Sequence, residues 1–459
     1  MIEGLKPYAE YKESGSKWLG AVPAKWEVRN LRTLISKRAE RDRPDLPLLS
    51  VAREKGVFVR SMTDADENHN VIPEDLTNYK VARAGNLVIN KMKAWQGSMG
   101  IAPCDGIVSP AYFVFDFRIA NHAFGQRLLR SKPYVAHFGQ ASDGVRVGQW
   151  DLSIPGMRQI PVLVPSDDEQ AAIVRFLDHA NRKIDGFIRA KRKLIGLLNE
   201  QKQAIIHRAV TRGLDPSVPL KPSGIPWLGD MPVHWTTAKL KHLTRFQNGL
   251  PFKPSDWGNN GVPIIRIQNL NGSGNFNFTN KKSLPQELLI RNGDLMFAWS
   301  GNKGTSFGSF QWGHPFDAYL NQHIFKLTGY KLPRRYFYYV LRAVTKHVEE
   351  QAGGIIGLVH VTKPELNSVQ VPIASSDEQE KIAHYIDSET GTLNAAISRT
   401  EREIALMQEY RTRLTADLVT GKLDVRAAAA RLPDLPSETT AEPLTDEAPD
   451  DTESEEIEI

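Results

Sequence analysis

The chain has a single cysteine, Cys104, in 459 residues. That excludes an internal disulfide framework and any Cys-rich zinc spacing, and it suits a reducing, cytoplasmic setting. No His stands near Cys104 in the sequence to activate it as a nucleophile. No run of eighteen apolar residues exists and the N-terminus lacks an apolar signal core, so neither a membrane partner nor secretion is expected. Several catalytic signatures are also missing: G-x-x-x-x-G-K-[ST], H-E-x-x-H and the Asn/Asp-Pro-Pro-aromatic run of amino-methyltransferases. The one nuclease-like pair, Glu200-x-Lys202, falls inside a helical pattern, where an i,i+2 spacing points to different sides. No catalytic residue, metal or cofactor is expected. From Pro433 onward the chain lacks Lys, Arg and aromatics but holds 11 Asp and Glu, the composition of a disordered solubility tail. The other 432 residues then carry 58 basic and 42 acidic side chains, a net charge of +16 hidden beneath a whole-chain value of +5. A body this basic points to a polyanionic partner.

What is present is a duplication. Residues 166–215 return at 375–424 with an unbroken offset of 209, as Asp168/Asp377, Ile173/Ile382, Asp178/Asp387, Ile188/Ile397, Val210/Val419 and Asp215/Asp424 show. A lead-in block carries the same offset: SGSKWLGAVPAKW at Ser14 matches SGIPWLGDMPVHW at Ser223, with Trp18/Trp227 and Trp26/Trp235. A period this long is a tandem domain duplication. Each lead-in reads as irregular and aromatic-anchored, Trp18 and Trp26 packing on the body, while residues 1–13 read as loosely held.

Both repeated stretches have the marks of long helices. Ser166-x-x-Glu169 and Ser375-x-x-Glu378 fit a capping box, acids crowd each first turn, and Gly213 and Gly421 supply the stops. An apolar seam runs between them: Ile173, Leu177, Ala180, Ile184, Phe187 or Ile188, Ile195, Leu198, Ile205 and Ala209, then Ile382, Ile386, Leu393, Ile397, Ile404, Met407, Leu414 and Leu418. At ~1.5 Å per residue each helix spans on the order of 65 Å. Over 166–215 and 375–424 the net charges are +3 and −4, which favours pairing the two with each other.

The expected fold class is α+β: two mixed α/β domains separated by two long antiparallel coiled-coil-like helices, with an internal pseudo-twofold repeat. The boundaries are 1–165 for the lead-in and first domain and 166–213 for the first helix. They continue with 214–374 for a proline-rich linker, lead-in and second domain, 375–426 for the second helix and 427–459 for the tail. In the first body (about 30–165) strands are expected at Leu48–Arg53, Gly56–Arg60, Leu87–Lys91, Ala111–Phe117 and Ile160–Val164, with a helix at Phe124–Ser131. In the second (about 240–374) they are expected at Val262–Gln268, Asp294–Trp299, Gln322–Leu327 and Val369–Ile373, with a helix near Pro333–Gln351. The bases of the bodies correspond, as 83–88 resembles 291–296, and the loops differ.

Basic, amide-rich and aromatic side chains coincide in a few loops, the mixture that contacts phosphates and base edges. In the first body these are Arg53 and Lys55; Lys91, Lys93, Trp95 and Gln96; and Arg146 and Gln149. In the second they are Arg266, Gln268 and Asn269; Trp299, Asn302 and Lys303; Gln322 and His323; and His360, at the end of the glycine-rich stretch 353–360.

With its doubled SGxxWLGxxPxxW blocks, its I-P-V-L-V-P-S-D-D-E-Q and V-P-I-A-S-S-D-E-Q helix entries and its repeated helix ends, the chain resembles the DNA specificity subunit of a type I restriction–modification enzyme. The resemblance covers nearly everything to about Arg426. It implies two target recognition domains that each read half of a bipartite site in double-stranded DNA, with the paired helices setting the gap. It also implies two methyltransferase subunits and the restriction, or translocase, subunits as partners, which carry the catalysis. Two rival readings stay open on the residues: a self-contained DNA methyltransferase or nuclease with an unrecognised active site, and a coiled-coil scaffold without a nucleic acid ligand.

Overall fold

The computed structural model describes residues 5–60, 75–146, 149–270, 272, 274–351 and 357–433. The acidic tail and residues 353–356 of the glycine-rich stretch lie outside them. The chain divides into two compact units, Met1–Arg189 with Ile404–Ile459, and Ala190–Glu403. It is a mixed α+β structure with two long helices, Asp167–Arg212 and Ser376–Val419. Each helix contributes residues to both units. Among the described residues no helix is long and apolar enough to cross a membrane.

The first unit is built on a four-stranded antiparallel sheet ordered Ile35–Lys37, Tyr112–Phe117, Leu87–Asn90, Met99–Ile101. The sheet of the second unit is ordered Arg245–Asn248, Ile324–Thr328, Leu295–Ala298, Gly308–Gln311, again antiparallel throughout. In each, the turn leading into an inner strand is tied to the end of the edge strand beside it. The Arg83 amide donates to the Asn86 side chain at 2.9 Å and the Gly85 amide to Ala102 O at 2.9 Å. In the second unit the Arg291 amide donates to Asp294 at 3.0 Å and the Gly293 amide to Trp312 O at 2.7 Å. Both glycines sit at φ +85, a backbone that side-chain-bearing residues rarely adopt. Flanking elements differ: in the second unit Val262–Ile265 joins a further four-stranded sheet, whereas in the first Leu49–Ala52 forms a two-stranded hairpin with Gly56–Val59 among the described residues.

The lead-in blocks are more regular than their composition suggests. Tyr11–Glu13 pairs antiparallel with Ala21–Pro23, and Leu220–Pro222 with Asp230–Pro232, at the same offset of 209. Trp26 and Trp235 are fully buried. Residues 5–13 are not loosely held, while 1–4 lie outside the described residues: Tyr8 is buried, Lys6 bridges Asp424, and the Tyr11 hydroxyl lies 3.2 Å from Lys422 O. In the second unit the proline-rich linker supplies the equivalent strand, and the covalent chain there passes through Asp215, one repeat length from both Lys6 and Asp424. Beyond Gly421 the chain is likewise anchored, with helix Arg426–Ala430 burying Val425 and Ala429.

Within each unit the long helices run antiparallel. In the first, Glu169 lies near Arg426, and Asp185 pairs with Arg411. In the second, Lys191 meets Glu403 at 2.7 Å and Lys202 meets Asn394 at 2.7 Å. The seam is buried where a body packs on it. Ile173, Leu177, Ala180 and Ile184 join Leu414 and Leu418 in one core, and Ile206, Ala209 and Val210 join Ile382 and Ile386 in the other. Between, Ile195, Leu198, Leu393 and Ile397 are only half-buried, and Ile206 replaces Ile205 as the buried position. Two helices without a body beside them have too little surface to enclose their seam, and a straight helix drifts against a 3.5-residue repeat.

Candidate nucleic-acid interface

In the first unit the expected loops rest on different elements. Arg53 and Lys55 occupy the turn between Leu49–Ala52 and Gly56–Val59. Arg130 holds this turn from beneath, donating to Arg53 O at 2.6 Å and Glu54 O at 2.7 Å. The Arg53 side chain is exposed beside Glu54, and the Lys55 ammonium lies 5.1 Å from the Phe58 ring.

A second group forms where the strand Leu87–Asn90 ends. The Trp95 indole N–H donates to Met92 O at 3.1 Å, and the tight helical turn Ala94–Gln96 closes at Gly97, φ +88. Lys93 is exposed and Gln96 half-buried. The hairpin Ser142–Arg146/Gln149–Leu152 packs against this turn, with Arg146 opposite Gln149 at its tip. The Trp95 and Trp150 rings lie 5.1 Å apart at 55°. Lys91 pairs with Asp151 at 2.9 Å, and the Leu152 amide donates to Lys91 O at 2.9 Å. Folding thus joins two of the three sequence clusters. Trp150 and Asp151 enter the group through a pairing of segments sixty residues apart, which no local pattern announces.

In the second unit Arg266 is turned inward. Its guanidinium stacks 4.6 Å over Trp257 and donates to Asn277 at 3.3 Å, and its amide donates to the Asn269 side chain at 2.9 Å. That side-chain cap ends the strand at Ile265, three residues short of the expected Gln268. Gln268 itself is exposed.

Trp299 is the hub of the other group. Its indole N–H donates to Gln322 O at 3.0 Å, and its ring lies 5.1 Å from His323 and 4.9 Å from His360. Its backbone takes the Val361 amide at 2.9 Å and gives its own to His323 O at 3.1 Å. Strand Ser300–Asn302 pairs with Leu358–His360, placing Ser300 opposite His360. Asn302 and Lys303 are exposed beyond it, and the Lys303 amide donates to Gly357 O at 2.8 Å. Gln322 Oε1 and His323 Nδ1 are buried without a hydrogen-bond partner. These two side chains therefore support Trp299 from below, while Asn302, Lys303 and His360 form the outer face.

The helices are capped unequally. The Ser375 amide and hydroxyl both donate to Glu378, which also accepts from Trp235 Nε1 at 3.0 Å and contacts His234 Nε2 at 2.9 Å. Burial alone would raise the Glu378 carboxyl, but these bonds together outweigh it and hold its pKa at about 2. Its counterpart Glu169 instead lies 3.9 Å from Arg426, and Trp26 Nε1 is buried without a partner. Among the described residues no group of three or more His, Cys, Asp or Glu is arranged to hold a metal ion.

The body is basic and duplicated, with two loop groups on sheets of matching strand order. Residues 232–404 match the family model described as the type I restriction modification DNA specificity domain. The matched stretch is a little over a third of the chain, and the chain is similar to specificity subunits of type I restriction enzymes. It is 26% identical over 282 residues to the MjaVIII specificity subunit of Methanocaldococcus jannaschii, covering 58% of this chain and 63% of that one. To the MjaX specificity subunit of the same archaeon it is 21% identical, over 91% of this chain and 98% of the other. Among solved structures, a chain from a study of complex assembly in a type I restriction–modification system superimposes with a TM-score of 0.57 at 16% identity. That match covers 88% of this chain and 99% of the other.

Proposed function

We propose that this chain reads a bipartite sequence in double-stranded DNA on behalf of a type I restriction–modification complex, each body reading one half. Residues 1–165 and 214–374 are the two target recognition domains in this reading. The helices 166–213 and 375–426 are the spacer related by a pseudo-twofold, and 427–459 is an acidic extension. Two methyltransferase subunits and the restriction subunits supply the chemistry. The observation that carries the reading is the shared sheet order and shared Arg83/Arg291 turn beneath loops of different composition. A common frame with different tips is what two readers of two different half-sites require, because base edges are read by side chains and not by the scaffold. The outer residues Lys93, Asn302, Lys303 and His360 are the leading contacts, with Arg53, Lys55, Arg146, Gln149 and Gln268 as further ones. Trp95 and Trp299 anchor the loops. The test is to exchange residues 30–165 for the corresponding body of a relative and select bound DNA from a random pool. One half of the recovered site changes and the other stays. A change in both halves, or no sequence preference in either, overturns the reading.

A further inference from the structure

The hairpin that carries Arg146 and Gln149 also carries acids where a DNA-facing element would be expected to carry none. Asp143 and Asp151 stand directly opposite each other across it. Like charges in that position oppose strand pairing. Asp151 is half exposed and pairs with Lys91 at 2.9 Å, and Asp143 is exposed. An exposed ion pair of this kind adds little to stability, so the fold does not account for its presence. In the second unit the paired strands Ser300–Asn302 and Leu358–His360 carry no acid, and Lys303 beside them is exposed.

We infer that Asp151 is a specificity-determining residue of the first body, which holds Lys91 in check until the correct half-site is bound. This rests on the DNA-reading function proposed above. In free protein the Asp151 carboxylate occupies the ammonium that a phosphate would otherwise take. A non-specific duplex must then displace Asp151 from Lys91 and also tolerate two carboxylates, Asp143 and Asp151, near its own charge. Only a duplex that gains base contacts from the first body offsets that repulsion. The acids thereby lower affinity for every sequence, and most for the wrong ones, which is how a repulsive element creates discrimination. The geometry places this device in one half of the reader alone.

The test uses the full chain with the subunits that accompany it on purification, and a short duplex of random sequence as probe. Binding is followed by fluorescence anisotropy between about 50 and 200 mM salt, where phosphate contacts set the slope. Asp151→Asn is expected to tighten binding by about threefold or more and to steepen the salt dependence by about one counterion, because Lys91 becomes free to engage a phosphate. Lys91→Gln in the same chain is expected to remove that gain. Selection from a random pool with Asp151→Asn should blur the half-site changed by exchange of residues 30–165 and leave the other half sharp. A merely structural ion pair predicts the opposite: Asp151→Asn and Lys91→Gln would weaken binding alike. Either that symmetrical loss or an unchanged affinity in Asp151→Asn overturns the inference. If the wild-type chain itself shows no salt-dependent binding, the DNA-reading function fails and this inference with it.

Discussion

Single side chains bear most of the fold's precision at the two ends of the long helices. Glu378 gathers the Ser375 amide and hydroxyl, the Trp235 indole and His234 on one carboxylate. Its folded pKa, about 2, lies below the ordinary value of 4.5, so its contribution is complete above about pH 4.5 and is lost as pH falls towards 2. Glu378→Gln is therefore expected to cost about 1–2 kcal/mol at neutral pH after allowance for solvent screening. In denaturant unfolding the gap between variant and wild type narrows across that acid window. The helix stops give a second comparison. Gly213 and Gly421 sit at φ +72 and +77, so an alanine costs ~1–2 kcal/mol of backbone strain at either. At Gly213 the new methyl would meet Trp235 at 3.3 Å, whereas at Gly421 it would run into the Pro23 ring and meet Trp26 at 3.1 Å. Gly421→Ala is expected to lower stability by about 1 kcal/mol or more beyond Gly213→Ala. Equal losses in thermal unfolding would show that Pro23 yields freely.

At the scale of elements, each body is bolted to a long helix at the same repeat position. Arg127 reaches Asp178 in the first unit, and Arg335 and Tyr339 reach Asp387 in the second. The partners differ in type and in helix, yet the two aspartates are one period apart, so the helix dictates where a body attaches. Polar pairs then hold the helices in register, Asp185 with Arg411 and Lys191 with Glu403. Adding one heptad to both helices, near residues 190 and 403, keeps the seam in phase. At ~1.5 Å per residue this inserts about 10 Å, which corresponds to about three base pairs at ~34 Å per turn. DNA footprints are expected to show an unread gap longer by that amount. An unchanged gap would mean that the helices do not set the spacing.

Across the whole molecule the governing quantity is the charge hidden beneath the acidic tail, together with the doubling of the frame. Exchanging residues 240–374 is expected to alter the half-site that exchange of 30–165 leaves intact, and selection from a random pool reads both outcomes. The duplication, the long helices, their stops and the paired tryptophans were legible in the sequence. They are local or strictly periodic features, and a period of 209 residues repeats without a gap. Strands such as Leu87–Asn90 and Gly56–Val59 were legible for the same reason, their alternation and flanking turns being local. The lead-in hairpins were hidden because Tyr11–Glu13 and Ala21–Pro23 gain their regularity from each other and not from β-forming residues.

The candidate site divides along the same line. Which residue types gather in which loops was readable, because basic, amide and aromatic side chains announce themselves one by one. Which of them face outward was not. Arg266 turns onto Trp257, Gln322 and His323 lie beneath Trp299, and Lys91 is taken by an aspartate sixty residues away. By itself the sequence determined the doubling and the helices, since periodicity needs no partner to be seen. Only the tertiary structure decided which cations are spent inside the protein and which remain for a ligand, because that depends on long-range pairing and burial.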